Sequence, residues 1–294
     1  MTKLVFGCGY LGRRISQRWL EDGDEVWVVT RSSARAKELE SCGFHAVIAD
    51  VTQPGSLCEL PAAESVLYAV GYDRSTGLQQ RQVYVDGLTH VLEHLPHDKL
   101  ERFIYISSTG VYGQSDGSWV DEDSICQPTR AGGQCCLEAE NRLARVIWGD
   151  RRIVLRLAGI YGPSRIPNLR LAAAGEIARI ATDGYLNLIH VDDAVRVVLA
   201  AELRARTPTL YTVSDGQPVL RSDFYAHVLR WDWPVLDNAQ PGQGSPARPA
   251  SRQQRTGSSK RVVNQRMLRE LGVQLEHKNY QEGLAAIARQ CLGE

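Results

Sequence analysis

Apolar residues run along this chain in two rhythms, short unbroken runs and longer stretches with helical spacing. Leu4-Val5-Phe6 is such a run. It breaks into Gly7-Cys8-Gly9-Tyr10-Leu11-Gly12, and from Leu11 to Leu20 apolar residues return at helical spacing. Further runs predict strands over 25–30, 46–49, 65–70, 101–107, 152–157 and 210–213. Between them the spacing predicts helices over 34–42, 79–95 and 133–148, and one that starts at Leu188-Ile189-His190-Val191-Asp192-Asp193. Helices over 222–229, 265–271 and 280–291 complete the pattern. Strands alternating with helices in this way make a parallel α/β sheet that gathers ligands at the strands' carboxyl ends.

The first break carries the most chemistry. Gly7 allows a sharp turn, Gly9 lets backbone amides approach a pyrophosphate, and Gly12 lets the following helix pack closely on its strand. A phosphate then rests on the helix N-terminus, where unpaired amides and the macrodipole favour negative charge. After the second strand, Thr30-Arg31-Ser32-Ser33 places a cation where NAD-using folds place a carboxylate, with Arg35 a turn later. A cation there accommodates the 2′-phosphate of NADP, so NADP is the expected cofactor, with NAD still possible. The alternative reading of Arg31 is a solvated residue at a strand end.

Composition narrows the partners. Lys plus Arg number 34 and Asp plus Glu 34, so net charge makes no case for nucleic acid or an acidic membrane surface. No apolar run approaches the roughly 20 residues of a membrane span, and the first residues enter the glycine turn without a signal-peptide core. Seven cysteines, an odd number without C-x-x-C spacing, read as reduced thiols of a cytoplasmic protein.

Several motifs invite chemistry and have simpler readings. His90-Val91-Leu92-Glu93-His94 spells a zinc-protease pattern, but Leu88, Val91, Leu92 and Leu95 make its helix a crossover packed on the sheet, and no metal is expected. Asp121-Glu122-Asp123 reads as a solvated turn, and Cys135-Cys136 as small packing residues. His190 is an acid-base or ligand candidate that more simply positions a helix start. The stretch 237–259 reads as a long loop; with Arg248, Arg252, Arg255, Lys260 and Arg261 it is either a clamp for an anionic substrate or, as favoured, a solvated loop. Ser107-Ser108-Thr109-Gly110-Val111-Tyr112-Gly113 sets hydroxyls at the end of a central strand, facing the cofactor crevice.

Taken together, GCGYLG, Asp50-Val51 after the third strand, SSTGVYG after the fifth, RLAGIYGP after the sixth and LIHVDDA before a late helix resemble the extended, NAD-dependent epimerase/dehydratase-like branch of the short-chain dehydrogenase/reductase superfamily. The resemblance covers essentially the whole chain and is strongest through residue 216. It implies a Rossmann domain over 1–162 and 187–216 and a small discontinuous substrate lobe over 163–186 and 217–294. It further implies that Gly7, Gly9, Tyr10, Leu11 and Gly12 surround the pyrophosphate, Arg31 the adenosine ribose, and Asp50 with Val51 the adenine. Ala69 to Gly71 back the nicotinamide ribose, Ala158 and Gly159 border the nicotinamide, and Ser108 falls on the catalytic Ser/Thr position. A small-molecule substrate and a homodimer also follow from the resemblance alone.

The chain departs from that family at the proton-transfer pair. Family enzymes carry Tyr-x-x-x-Lys on the helix after the Pro-containing loop, because a tyrosine near pKa 10 needs a nearby cation to act as a base at neutral pH. Counting from Pro128, those positions hold Gly132 and Cys136, and Thr109-Gly110 replaces the Asp-Glu of the dehydratase variant. The chain is therefore similar to atypical members. Two functions stay open. One is an NADP-dependent oxidoreductase or epimerase-like enzyme using Ser108, with Tyr112 or a water in place of the missing base. The other is a dinucleotide-binding sensor without turnover.

Overall fold

The computed structural model describes residues 1–169, 171, 182–230, 233 and 259–292. Its centre is a seven-stranded, all-parallel sheet: β1 (Thr2–Phe6), β2 (Glu25–Thr30), β3 (His45–Ile48), β4 (Ser65–Tyr68), β5 (Arg102–Ser108), β6 (Arg152–Leu157) and β7 (Thr209–Val213). Their order across the sheet is β7-β6-β5-β4-β1-β2-β3. The direction of winding reverses between β1 and β4, where Phe6 sits opposite Tyr68. Such a switch point leaves a crevice beyond the strand ends, since neighbouring connections leave on opposite faces.

The sheet is covered on both faces, which is why its strands read as unbroken apolar runs. Alternation along each strand sends Val5, Leu67 and Ile104 to one face, with Ile15 and Trp19 of α1 (Gly12–Glu21), Leu39 of α2 (Ser33–Ser41) and Val198 of the Val191–Arg204 helix. Phe6, Tyr68 and Phe103 pack on the other, against Leu88 and Leu92 of α3 (Gly87–His94) and Ala139 and Leu143 of α4 (Ala131–Leu143). The Val191–Arg204 helix is α5, and Arg221–Val228, Gln265–Leu271 and Tyr280–Leu292 are α6, α7 and α8. A separate apolar cluster, including Tyr161, Leu188, Phe224 and Leu284, joins α6 and α8 to two short strands, Gly159–Tyr161 and Leu188–His190, which pair in parallel.

Four expectations change. The helix expected over 79–95 contains a π-helical turn at Gln82–Asp86 before α3. There the chain presses on β3's exit: a Cβ at Gly87 would stand 2.8 Å from Val51 Cγ2. The helix expected over 133–148 ends at Leu143, because the chain doubles back and Gly149 packs under the helix end, 2.7 Å from the Leu143 carbonyl for a Cβ. Helix α7, assigned by sequence to the smaller lobe, instead buries Met267 and Leu271 in the core beside α5.

The acidic turn is the fourth. Glu122 is not solvated: its side chain is 4% exposed. Its Oε1 accepts hydrogen bonds from the Thr212 amide and hydroxyl, both at 2.8 Å, tying the turn to edge strand β7. The clamp residues Arg248, Arg252 and Arg255 lie outside the described residues. Among the described residues no helix is long and apolar enough to cross a membrane.

Candidate functional site

The three glycines after β1 divide their tasks by geometry. Gly7 has φ +90°, and a Cβ there would lie 2.4 Å from the Ala69 carbonyl oxygen, so the turn nests against the end of β4. A Cβ at Gly12 would lie 2.2 Å from the Gly7 carbonyl oxygen, which makes the bare backbone a condition of seating α1 on the sheet. At Gly9 a Cβ would meet nothing within 4 Å. That open space, facing helix amides that have no intrahelical acceptor, fits a pyrophosphate. The first turn of α1 carries no acidic residue and no side-chain cap to compete for those amides.

The cradle opens into a crevice of about 230 Å³ walled by Gly7, Gly9, Arg31, Asp50, Val51 and Gly71, among others. Arg35 also lines it, held by ion pairing to Glu38. The Arg31 guanidinium is half exposed and stands 3.9 Å from the Asp73 carboxylate across the crevice mouth. Asp50 is fixed in place: its Oδ1 accepts from the Thr52 amide at 2.8 Å and the Thr52 hydroxyl at 2.7 Å. The Val51 carbonyl is bonded by His90 Nδ1 at 2.8 Å, so the first histidine of the protease-like motif serves the crevice floor. His94 Nδ1 turns to the His90 carbonyl.

Other expected cofactor residues stand around the crevice without lining it. Leu11 is buried beneath the turn, and the Ala69 amide donates to the Phe6 carbonyl at 2.8 Å. Ala158 donates to the Val213 carbonyl and Gly159 to the Asn187 carbonyl. Tyr10 leaves the phosphate turn: its hydroxyl donates to the Pro163 carbonyl at 3.0 Å, and the Arg14 and Arg165 guanidinium groups sit over its ring. Burial pushes its phenol up to about 12, against the pull of those two cations.

At the reaction end, Ser108 closes β5, and its Oγ accepts from the Gly110 amide at 3.0 Å, which leaves the hydroxyl proton to donate. Tyr112 does not join it. The ring is 1% exposed, and its hydroxyl accepts from Arg156 Nη1 at 2.8 Å inside a buried network. Burial raises its phenol well above the ordinary value, and the Arg156 charge offsets this only in part. The expectation that Tyr112 replaces the missing base is corrected accordingly: its oxygen is committed to a buried cation away from Ser108, and burial disfavours its charged form.

The rest of that network was not foreseen. Arg156 of β6 grips Glu140 of α4 through Nε at 3.0 Å and Nη2 at 2.6 Å, and Ser107 donates to the same carboxylate at 2.5 Å. A charged residue inside the otherwise apolar run RIVLRL was the available signal, because a buried strand tolerates a cation only with a partner. The nearby thiols are inert packing groups. Burial, helped by Glu140 and Cys135, pushes Cys136 up to about 12, and burial also raises Cys135.

His190 holds the start of α5. Its Nδ1 accepts from the Asp192 amide at 3.3 Å, and its ring stacks on His277 at 3.8 Å. Burial first, then the neighbouring His277, pushes it down to about 4. Asp193, fully buried, accepts the amides of Glu276 and His277 at 2.7 and 2.9 Å and so anchors the C-terminal segment. Among the described residues no group of three or more His, Cys, Asp or Glu is placed to hold a metal.

Comparison with known proteins gives the family and the fold. The model of the NAD dependent epimerase/dehydratase family matches residues 4–213. The protein YeeZ of Escherichia coli K12 is 24% identical over 236 residues, 77% of this chain and 82% of that protein. A Methylobacillus flagellatus structure described as an NAD-dependent epimerase/dehydratase is 30% identical, with TM-score 0.77 over 100% of this chain and 99% of that one. The Bordetella bronchiseptica enzyme WbmG, solved with NAD and UDP, shares the fold at 18% identity and TM-score 0.77, covering 99% and 94% of the two chains.

Proposed function

Because the chain belongs to the NAD dependent epimerase/dehydratase family, we propose that it is an NADP-dependent oxidoreductase or epimerase-like enzyme acting on a small molecule. The observation that carries this reading is the crevice itself: an open cradle at Gly9, with Arg31 just after β2 and Arg35 in the first turn of α2, where the adenosine ribose would lie. Arg31 presents a planar fork to a 2′-phosphate, which would displace Asp73 as its partner, and Arg35 stands beside it in its ion pair with Glu38.

When bound, the nicotinamide supplies or takes up a hydride. Gly7, Gly9 and the first turn of α1 would hold the pyrophosphate, Asp50 and Val51 would border the adenine, and Gly71, with Ala69, Ala158 and Gly159 behind it, would face the nicotinamide half. Ser108 donates a hydrogen bond to a substrate carbonyl or carbinol oxygen. Gly132 and Cys136 stand in place of the family pair, so a water would have to carry the proton between the substrate oxygen and solvent. A titration with NADPH and NADH, followed by loss of nicotinamide fluorescence over a panel of carbonyl and sugar-nucleotide substrates, tests the reading.

The second reading, a dinucleotide sensor without turnover, is favoured by one observation, the burial of Tyr112 and of both candidate thiols away from any acid-base role. Saturable NADPH binding with no oxidation across the panel is the result it requires.

A further inference from the structure

The helical segment that precedes α3 starts at Gln80 and passes through the π-helical turn Gln82–Asp86. A π turn holds one residue more than an α turn, so it changes which face the residues before it present. Arg81 pins that face to α4: its Nη2 donates to Glu138 Oε1 at 2.8 Å, and its Nη1 donates to Oε2. Gln82 is used locally, its Oε1 accepting from the Gln79 amide at 2.8 Å. Gln80 is left facing the start of α4. A Cβ at Gly132 would stand 3.7 Å from both Nε2 and Oε1 of its carboxamide. A longer side chain at 132 would run into that group, so the glycine and the glutamine share one space.

The same opening is bordered by Ser108. A Cβ at Gly110 would lie 3.1 Å from Ser108 Oγ and 3.8 Å from Gly133 Cα, so the Ser108 turn meets the helix start one residue after Gly132. A Cβ at Gly133 would press on the Gly110 carbonyl oxygen at 2.2 Å and on Pro128 Cβ at 2.9 Å, which makes the contact depend on two bare glycines. Ser108 Oγ accepts from the Gly110 amide and keeps its proton to donate. Gln80 is partly buried. Among the described residues its carboxamide makes no hydrogen bond, so both of its N–H donors are available to a ligand.

We propose that Gln80 is a catalytic residue: together with the Ser108 hydroxyl, its carboxamide donates a hydrogen bond to the substrate oxygen, over the Gly132 that stands in place of the family tyrosine. The proposal rests on the reading of the chain as an NADP-dependent enzyme, and it selects the reaction. Two neutral donors stabilise negative charge as it develops on an oxygen, and neither removes a proton from it at neutral pH. That suits reduction of a carbonyl compound. The carbonyl carbon gains a hydride from NADPH, leaving NADP⁺, and the π electron pair moves to the oxygen that the two donors hold. Water then protonates this oxygen, and hydroxide passes to solvent. Oxidation of an alcohol would need its proton taken by a base that neither side chain supplies.

The test uses the full chain with ¹⁵N in its glutamine side-chain amides, the Gln80 pair being assigned through Gln80→Glu. Spectra are recorded with isobutyramide, an unreactive carbonyl compound that stands in for the substrate, in the presence and absence of NADPH. A hydrogen bond to the probe's oxygen moves the Gln80 pair, and Gln80→Ala weakens the probe about 3- to 10-fold while NADPH affinity stays within about twofold. With 9,10-phenanthrenequinone as the reducible carbonyl, Gln80→Ala lowers kcat about 10²-fold with KM little changed. Gln80→Glu lowers it further, because a carboxylate repels the developing charge, an order that a merely structural role would not produce. A Gln80 pair unmoved by isobutyramide, or a Gln80→Ala kcat within about twofold of the parent, overturns the proposal. Failure of the cofactor reading appears separately, as absence of saturable NADPH binding, and leaves the response of Gln80 to isobutyramide alone to decide.

Discussion

Glu140 and Arg156 meet end to end in the interior, 16 residues apart in sequence and 2.6 Å apart at Oε2 and Nη2, each about 7% exposed at the side chain. The pair ties helix α4 to strand β6 directly beneath the loop that carries Ser108, and its spare donor fixes Tyr112. Removing one partner strands the other charge away from water, so Glu140→Ala is expected to cost about 3–5 kcal/mol of stability. Urea unfolding at pH 7 measures it; a loss under about 1 kcal/mol would mean that the pair is solvated in solution.

Tyr112→Phe removes one hydrogen bond to Arg156 and leaves the ring in place. It should cost roughly 1 kcal/mol and leave the rate with any accepted substrate within about threefold. A loss of orders of magnitude in turnover would return Tyr112 to the chemistry.

Ser108→Ala is expected to lower turnover by about 10²-fold or more while NADPH affinity stays nearly constant, because in the proposed reading the hydroxyl bonds the substrate oxygen and not the cofactor. Single-turnover kinetics with a substrate found by the panel separates the two quantities, and an unchanged rate removes Ser108 from the mechanism.

Two glycine substitutions should fail in different ways. Gly9→Val places its side chain in open space and should leave the melting temperature within a few degrees of the parent while abolishing NADPH binding. Gly12→Ala drives a methyl group into the Gly7 carbonyl and should destabilise the fold itself. Thermal unfolding beside a fluorescence titration decides; a Gly9 variant that still binds NADPH would place the pyrophosphate elsewhere.

Arg31→Asp should weaken NADPH about 10- to 100-fold and NADH far less, since it removes the proposed partner of the 2′-phosphate. Equal loss for both cofactors would sink the NADP assignment.

His190, stacked on His277, gives stability a pH dependence of definite sign. His190 is held at about 4 in the folded protein, whereas the unfolded chain takes up its proton near 6.5. Its contribution is therefore complete above pH 6.5 and is lost as pH falls toward 4, on the order of 2 kcal/mol. Asp215, pushed up to about 7 by burial, slopes the other way: its contribution is present below about pH 4 and is lost as pH rises toward 7. Comparing wild type with His190→Gln at pH 7 and pH 4.5 isolates the histidine, because Asp215 is common to both. A stability difference that does not change between the two pH values would show that His190 titrates normally.

The parallel sheet, the glycine cradle and the cation after β2 were legible along the chain, because each is written within a few consecutive residues. Gly7, Gly9 and Gly12 act on one turn, and Arg31 follows directly on the strand that positions it. The tertiary structure alone decided which polar groups are exposed. Glu122 looked solvated until β7 supplied Thr212 as its partner, 90 residues away, and Tyr112 looked available until Arg156 closed on its hydroxyl. Lys260 lay next to a cation-rich stretch, and only its placement against the Tyr112 carbonyl, 148 residues distant, set it apart from a solvated charge. Burial is a property of what packs around a residue, and the energy of a charge depends on that surrounding far more than on its neighbours in the chain.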